Sequence, residues 1–183
     1  MRSIHREKRD ENVLTPAGSD RALDFLGMWT QSSGAQRVQI ISLNDEALNQ
    51  MVLRLPEGVH LGPQPEMVLY LFSLEDRPVT FTAPYIAGCF RNGFSYQRLI
   101  HPRMPQRNFA WLKLKLAQGN YELLDWRGVY PPAFIFWWTI STLLGARFPE
   151  WHFRLLERAY QQMAKRSNFT HLLTFYARRS MQV

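Results

Sequence analysis

The chain contains only one cysteine, Cys89, among its 183 residues. A single thiol excludes an intramolecular disulfide and a metal site built from several cysteines. The amino-terminal residues are charged and lack the apolar stretch of a secretory signal. We therefore expect a cytoplasmic protein, with association with a membrane complex as the alternative.

Long apolar runs are also missing. The most apolar segment, residues 133–144, has twelve residues, whereas a membrane-spanning helix needs about 20. The segment therefore predicts a helix buried in the core or against another chain. An element lying on a membrane surface is the alternative.

The sequence lacks the local patterns of catalysis and phosphate binding. It contains no GxxxxGK[ST] or GxGxxG motif, and no two of its five histidines have helical metal-ligand spacing. Two combinations remain, Cys89 with His101 and Glu122 with Asp125. A buried structural thiol is the usual outcome for such a cysteine, and two carboxylates near a surface turn are more often solvated than catalytic. We expect no metal, no catalytic residue and a function in binding.

What the sequence does contain is a series of short β-branched or alternating segments, which predict strands. They are residues 38–43, 50–55, 67–74, 79–90 and 94–99, and residues 22–29 fit a strand or a short helix. Arg91-Asn92-Gly93 predicts a hairpin turn between the last two strands. Hairpin spacing favours an α+β protein with a small antiparallel β-barrel of five or six strands.

Helical patterns dominate the later part of the chain. Residues 109–117 predict a helix that ends at Gly119-Asn120, and residues 121–126 predict an extended segment. Beyond Pro149, apolar residues at helical spacing predict two amphipathic helices. The first contains Trp151, Leu155, Leu156, Tyr160 and Met163, and the second Phe169, Leu172, Leu173 and Tyr176. The predicted organisation is a flexible arm at 1–20, a barrel at 21–117 and a helical, aromatic and basic extension at 118–183.

Positive charge is concentrated in that extension. The net charge of the chain is +7, and residues 147–183 hold seven basic side chains against two acidic ones. Four of the basic residues lie away from the apolar stripe: Arg154, Arg158, Lys165 and Arg166. A solvated helix face explains them, and a strip that binds a partner or the phosphates of nucleic acid or an anionic membrane is the alternative.

The order of features from about residue 22 to residue 117 resembles the PilZ domain, a small β-barrel of bacterial cyclic di-GMP signalling. The resemblance covers about half of the chain, and it includes a Ser-Ser-Gly turn, a strand ending in Ser42-Leu43-Asn44-Asp45 and a closing strand after Gly93. It implies cyclic di-GMP as a ligand, bound through an RxxxR motif and a [DN]xSxxG motif.

The chain departs from both motifs. Arg2 and Arg6 fit the RxxxR spacing but lie upstream of its expected position, and only Ser42 remains of the second motif, with Ile40 and Asp45 at the other two positions. Losing the glycine and the polar residue removes contacts to the nucleotide. We therefore expect no cofactor, with cyclic di-GMP bound at Arg2, Arg6 and Ser42 as the exception that the resemblance allows.

The resulting hypothesis is a non-catalytic, bacterial, PilZ-like adaptor that binds a protein partner. Residues 129–183 would contact that partner or a second copy of the chain. The alternative is a nucleic-acid-binding protein that uses its basic carboxyl-terminal helices.

Overall fold

The computed structural model describes residues 16–42, 45–72, 83–93, 107–129, 158 and 170–180. These residues form an α+β structure with three helices and a six-stranded sheet. The helices are α1 (Pro16–Ser33), α2 (Asp45–Val52) and α3 (Phe109–Gln118). The strands are β1 (Arg37–Ser42), β2 (His60–Leu61), β3 (Met67–Leu71), β4 (Tyr85–Arg91), β5 (Tyr121–Val129) and β6 (Leu172–Arg179).

The sheet is open and mixed. Its strand order is β2-β1-β3-β4-β6-β5, in which β2, β1, β3 and β4 run parallel and β6 is antiparallel to both β4 and β5. The prediction of an α+β protein is confirmed, whereas a closed barrel is not. The predicted antiparallel pairing of residues 67–74 with 79–90 is wrong, because Met67 aligns with Tyr85 and Leu71 with Cys89 in a parallel ladder.

Helices cover both faces of the sheet. On one face, α1 and α2 pack on alternate residues of β3 and β4 such as Leu69 and Cys89. On the other face, α3 packs on the residues between them, such as Tyr70 and Phe90. All five residues of β3 are buried as a result, which is the pattern of a central strand in a parallel region.

The first helix agrees with one of two predicted alternatives for residues 22–29, and the second helix differs from the prediction. Residues 16–20, predicted as part of a flexible arm, are the first turns of α1, and residues 22–29 continue that helix. The predicted strand at 50–55 is wrong, since α2 extends to Val52. Ala47 and Met51 are buried four residues apart, so α2 presents one helical face to the core.

The predicted helix at 109–117 is confirmed by α3. The side chain of Asn108 accepts a hydrogen bond from the amide of Trp111 at 2.9 Å, which caps the first turn. Asn120 adopts a positive φ of 59° after the helix, as the predicted end at Gly119-Asn120 requires. The extended segment predicted at 121–126 is also confirmed, within β5.

The predicted second amphipathic helix of the tail is wrong where the structure describes it. Leu172, Leu173 and Tyr176 belong to β6, which lies between β4 and β5. Residues 118–183 therefore supply two strands to the same sheet as residues 37–91. Residues 1–15, 94–99 and 133–144, together with all of the first tail helix except Arg158, lie outside the described residues.

Candidate functional site

The strand order changes direction between β1 and β3. After β1 the chain continues to β2 on one side, and it then returns to form β3 and β4 on the other side. The carboxyl ends of these parallel strands lie at one end of the sheet, which we call the carboxyl end. Ser42, Leu71 and Arg91 close β1, β3 and β4 there. In open sheets of this kind, ligands bind outside the carboxyl ends of the strands where the order reverses.

Two features border this reversal point. The first turn of α2, directly after β1, carries Asp45 and Glu46, and both are exposed. Phe72, directly after β3, has a φ of 57°, and its N–H donates to the carbonyl of Cys89 at 3.0 Å. An aromatic residue in this left-handed region stores conformational strain of about 1–3 kcal/mol, and such strain concentrates at functional sites.

A group of polar residues, three of them buried and one half-buried, lies two strands away at the same end of the sheet. We call Arg91, Asn92, Thr170 and His171 the polar corner. The amide of Asn92 donates to the carbonyl of His171 at 2.8 Å, and its side-chain nitrogen donates to the carbonyl of Thr170 at 2.8 Å. The Thr170 hydroxyl donates to the carbonyl of Leu172 at 2.9 Å. These bonds fix the segment that enters β6 against the segment that leaves β4.

The imidazole of His171 is the least satisfied group of the polar corner. His171 is only 7% exposed, and its Nδ1 has no hydrogen-bond partner among the described residues. Burial and then the positive charge of Arg91 lower the pKa of His171 from 6.5 to about 4. The ring is therefore neutral at pH 7, with one nitrogen that can donate and one that can accept.

Cys89, the candidate nucleophile of the sequence analysis, does not have the properties of a nucleophile. Cys89 is fully buried, and this burial raises the pKa of its thiol to about 12, so the reactive thiolate is strongly disfavoured. Asp125 pairs with Arg127 at 2.9 Å and Glu122 with Arg178 at 3.3 Å, both on the β5–β6 side of the sheet. His101 lies outside the described residues.

Two of the binding residues predicted from the sequence are described. Ser42 ends β1 at the reversal point and is half-buried. Arg158 is helical and exposed. The other predicted residues, Arg2, Arg6, Arg154, Lys165 and Arg166, lie outside the described residues, so their binding roles stay predictions.

The polar corner was missed by sequence reasoning. Asn92 was assigned to a hairpin turn, and Thr170 and His171 were placed within the second amphipathic helix of the tail. Asn92 and Thr170 are 78 residues apart in the sequence, so no local pattern joins them. A signal for Ser42 existed, because it ends a β-branched strand just before an acidic helix start.

The described residues contain no group of three or more His, Cys, Asp or Glu side chains placed to hold a metal ion. None of the helices in the described ranges combines the length and the apolar character needed to cross a membrane. No protein-family model matches the chain, and no curated protein matches it.

Proposed function

We propose that the chain binds an adenosine-type ligand that carries positive charge and no phosphate, in the crevice between the carboxyl ends of β1 and β3. The observation that carries the proposal is the reversal of strand order between these two strands. Open α/β sheets bind nucleotides at this position. The half-buried Phe72 follows β3 at this end of the sheet and packs in part against the core, and the exposed part of an aromatic ring can stack on a base.

The residues after β1 argue against a phosphate group. Only Leu43 and Asn44 separate Ser42 from the first residue of α2, and neither is a glycine that would let a phosphate approach the backbone. The helix start itself carries Asp45 and Glu46. Their carboxylates oppose the attraction between a helix amino terminus and an anion.

The same carboxylates favour a cation. S-adenosylmethionine joins adenosine to a positively charged sulfonium centre and contains no phosphate. It therefore has the adenosine group, the positive charge and the lack of phosphate that the site requires. The proposal is a binding function.

Isothermal titration calorimetry with four ligands tests this proposal. S-adenosylmethionine should bind most tightly. S-adenosylhomocysteine, in which the sulfur is an uncharged thioether, should bind more weakly, and adenosine more weakly still. ATP should not bind measurably, because its phosphates face the acidic start of α2. Tighter binding of ATP than of S-adenosylmethionine would contradict the proposal, as would no heat with any of the four.

A charge-matched pair of variants locates the site. Asp45→Asn removes one carboxylate at the reversal point and should weaken S-adenosylmethionine by about threefold to tenfold. Glu57→Gln removes one exposed carboxylate from the loop that precedes β2, and it should leave the affinity unchanged. Equal effects of the two substitutions would place the binding elsewhere.

The adaptor function is a second proposal, favoured by apolar exposure at the β2 end of the sheet. Three large apolar side chains are exposed on β2 and at the end of α2: Val52, Leu53 and Leu61. Leu53 is 80% exposed. Ile41 is also exposed, but it lies on the opposite face of the sheet, because Leu61 aligns with Val38. A protein-binding surface typically exposes apolar side chains.

Quantitative capture of partners tests the adaptor proposal. A Leu53→Ser, Leu61→Ser variant should lose a protein that the unchanged chain retains. A variant with Leu114→Ser and Leu124→Ser, two exposed residues on α3 and β5, should retain it. Identical captured proteins for all three chains would count against the surface.

Cyclic di-GMP should give no heat in calorimetry, since only Ser42 of the second motif is present.

A further inference from the structure

One buried hydrogen-bonding atom of the polar corner, Nδ1 of His171, is not used in a hydrogen bond to the described residues. The backbone amide of Asn92 donates to the carbonyl of His171, and its side-chain nitrogen donates to the carbonyl of Thr170. The Thr170 hydroxyl donates to the carbonyl of Leu172. Nδ1 of His171 is buried in this arrangement and has no partner among the described residues. Buried polar atoms are nearly always paired, so an unpaired one needs an explanation.

The position of His171 suggests that the missing partner belongs to a ligand. Asn92 follows β4, and His171 pairs with it just before β6, so the ring lies at the carboxyl end of the sheet. Neighbouring strands lie about 4.8 Å apart, which places β6 roughly 10 Å from β3. A second, small molecule can therefore bind beside a ligand held at the β1–β3 reversal point.

The charges around His171 select the chemistry of that molecule. The positive charge of Arg91 acts on the imidazole, so a cationic group would be repelled and an anionic group attracted. A carboxylate oxygen accepts a hydrogen bond, which Nδ1 of the neutral ring can donate.

We propose that the polar corner is a subsite for the carboxylate of a small molecule, and that Nδ1 of His171 donates the hydrogen bond that holds it. This inference deepens the proposed function, on which it rests for the use of the carboxyl end of the sheet. It assigns His171 as a ligand-binding residue beside the adenosine-type ligand.

Nuclear magnetic resonance of the histidine rings tests the subsite with benzoate as the probe. The ring resonances of His171, identified by their loss in His171→Asn, should shift in a saturable way with benzoate. Benzamide, which is uncharged and has nearly the same shape, should produce no saturable shift. A bound carboxylate should also raise the pKa of His171, because it stabilises the charged ring.

Variants give a second readout. His171→Asn should weaken benzoate binding by about tenfold or more. His60→Asn changes an exposed histidine of β2 at the far side of the sheet and should leave the affinity for benzoate unchanged. Equal binding of benzoate and benzamide, an unshifted His171 ring, or unchanged benzoate affinity in a folded His171→Asn chain would overturn the inference. If His171→Asn does not fold, the His171 ring resonances are assigned through the backbone resonances of the unchanged chain, and their titration with benzoate decides the question.

Different results would refute the adenosine-type site and the carboxylate subsite. If S-adenosylmethionine does not bind while benzoate shifts the ring of His171, the adenosine-type site is wrong and the subsite stands. If S-adenosylmethionine binds in an Asp45-dependent way while benzoate leaves His171 unchanged, the subsite is wrong and the proposed function stands.

Discussion

Gly88 lies in the middle of β4, where the sheet and an aromatic side chain leave no room for a larger residue. A Cβ atom added there would lie 2.7 Å from the carbonyl oxygen of Tyr70 and 2.9 Å from Cε1 of Phe175. The first neighbour is backbone in the adjacent strand and cannot turn away. The glycine is therefore required for the packing between β3, β4 and β6.

Gly88→Ala should lower the free energy of unfolding by about 2 kcal/mol or more, because one strand must shift. Urea denaturation followed by circular dichroism measures the loss. Gly62→Ala is the matched control, since a Cβ at that position has no neighbour within 4 Å, and it should change stability by less than about 0.5 kcal/mol. Equal stability of the two variants would contradict the packing described for β4.

His171 should make stability depend on pH. Its folded-state pKa of about 4 lies below the ordinary 6.5, so the unfolded chain takes up this proton at a higher pH than the folded chain does. The contribution is fully present above about pH 6.5 and is lost as the pH falls to about 4, by roughly 2–4 kcal/mol in total.

The measurement is the difference in unfolding free energy between the unchanged chain and His171→Asn, taken at intervals from pH 7 to pH 4. The difference should move in favour of the variant as the pH falls, because the variant has no imidazole to protonate. His60→Asn serves as the control and should follow the unchanged chain. A difference that stays constant over this range would show that His171 is not buried in its neutral form.

At the scale of elements, β6 connects the two halves of the chain. It pairs with β4 over seven aligned positions, from Tyr85–Arg178 to Arg91–Leu172. On its other side it pairs with β5 from Tyr121–Arg179 to Val129–Leu172, across a bulge between Leu123 and Asp125. Without β6, β5 would have no partner among the described strands, and β4 would have an unpaired hydrogen-bonding edge.

Removing residues 170–183 should therefore abolish cooperative unfolding. The expected result is the loss of a sigmoidal urea transition and of dispersed amide resonances. Removing residues 1–15, a segment of similar length, leaves every described strand in place and should retain the transition. A stable, cooperatively folded chain without residues 170–183 would contradict the position of β6 in the sheet.

The elements that the sequence predicted well are those whose pattern is local. For α3, apolar spacing and the Gly119-Asn120 end agree, and for β1 a β-branched run indicates a strand. The pattern of α2 was mistaken for a strand because Met51-Val52-Leu53 is a short apolar run, which fits a helix end equally well. For β6, burial on both faces removed the alternation that marks a strand, so Leu172, Leu173 and Tyr176 fitted helical spacing.

The parallel pairing and the candidate sites depend on contacts between distant segments. The sequence contains short strands at hairpin spacing, but it does not show that β1 and β3 are neighbours with β2 on the outside. Ser42 was selected for a motif that the chain has mostly lost, and the structure places it at the reversal of strand order. The polar corner needed the pairing of β4 with β6, which a local pattern cannot reveal.

At the scale of the whole molecule, the described helices lie on the two faces of the sheet and leave the strand ends as the place where a ligand can approach several elements at once. The carboxyl end combines the reversal point, the acidic start of α2, the strained Phe72 and the polar corner. At the opposite end of β1 and β3, an ion pair joins β1 to the residue before β3. There Arg37 pairs with Glu66 at 3.0 Å, and Glu66 also accepts a hydrogen bond from the amide of Gln36.

Amide chemical-shift mapping during a titration with S-adenosylmethionine tests the central claim most directly. The account predicts saturable shifts at Ser42, Asp45 and Phe72, with little change at Arg37 and Glu66 at the other end of the same strands. Saturable shifts centred on Arg37 and Glu66, or no saturable shift at any of these amides, would contradict it.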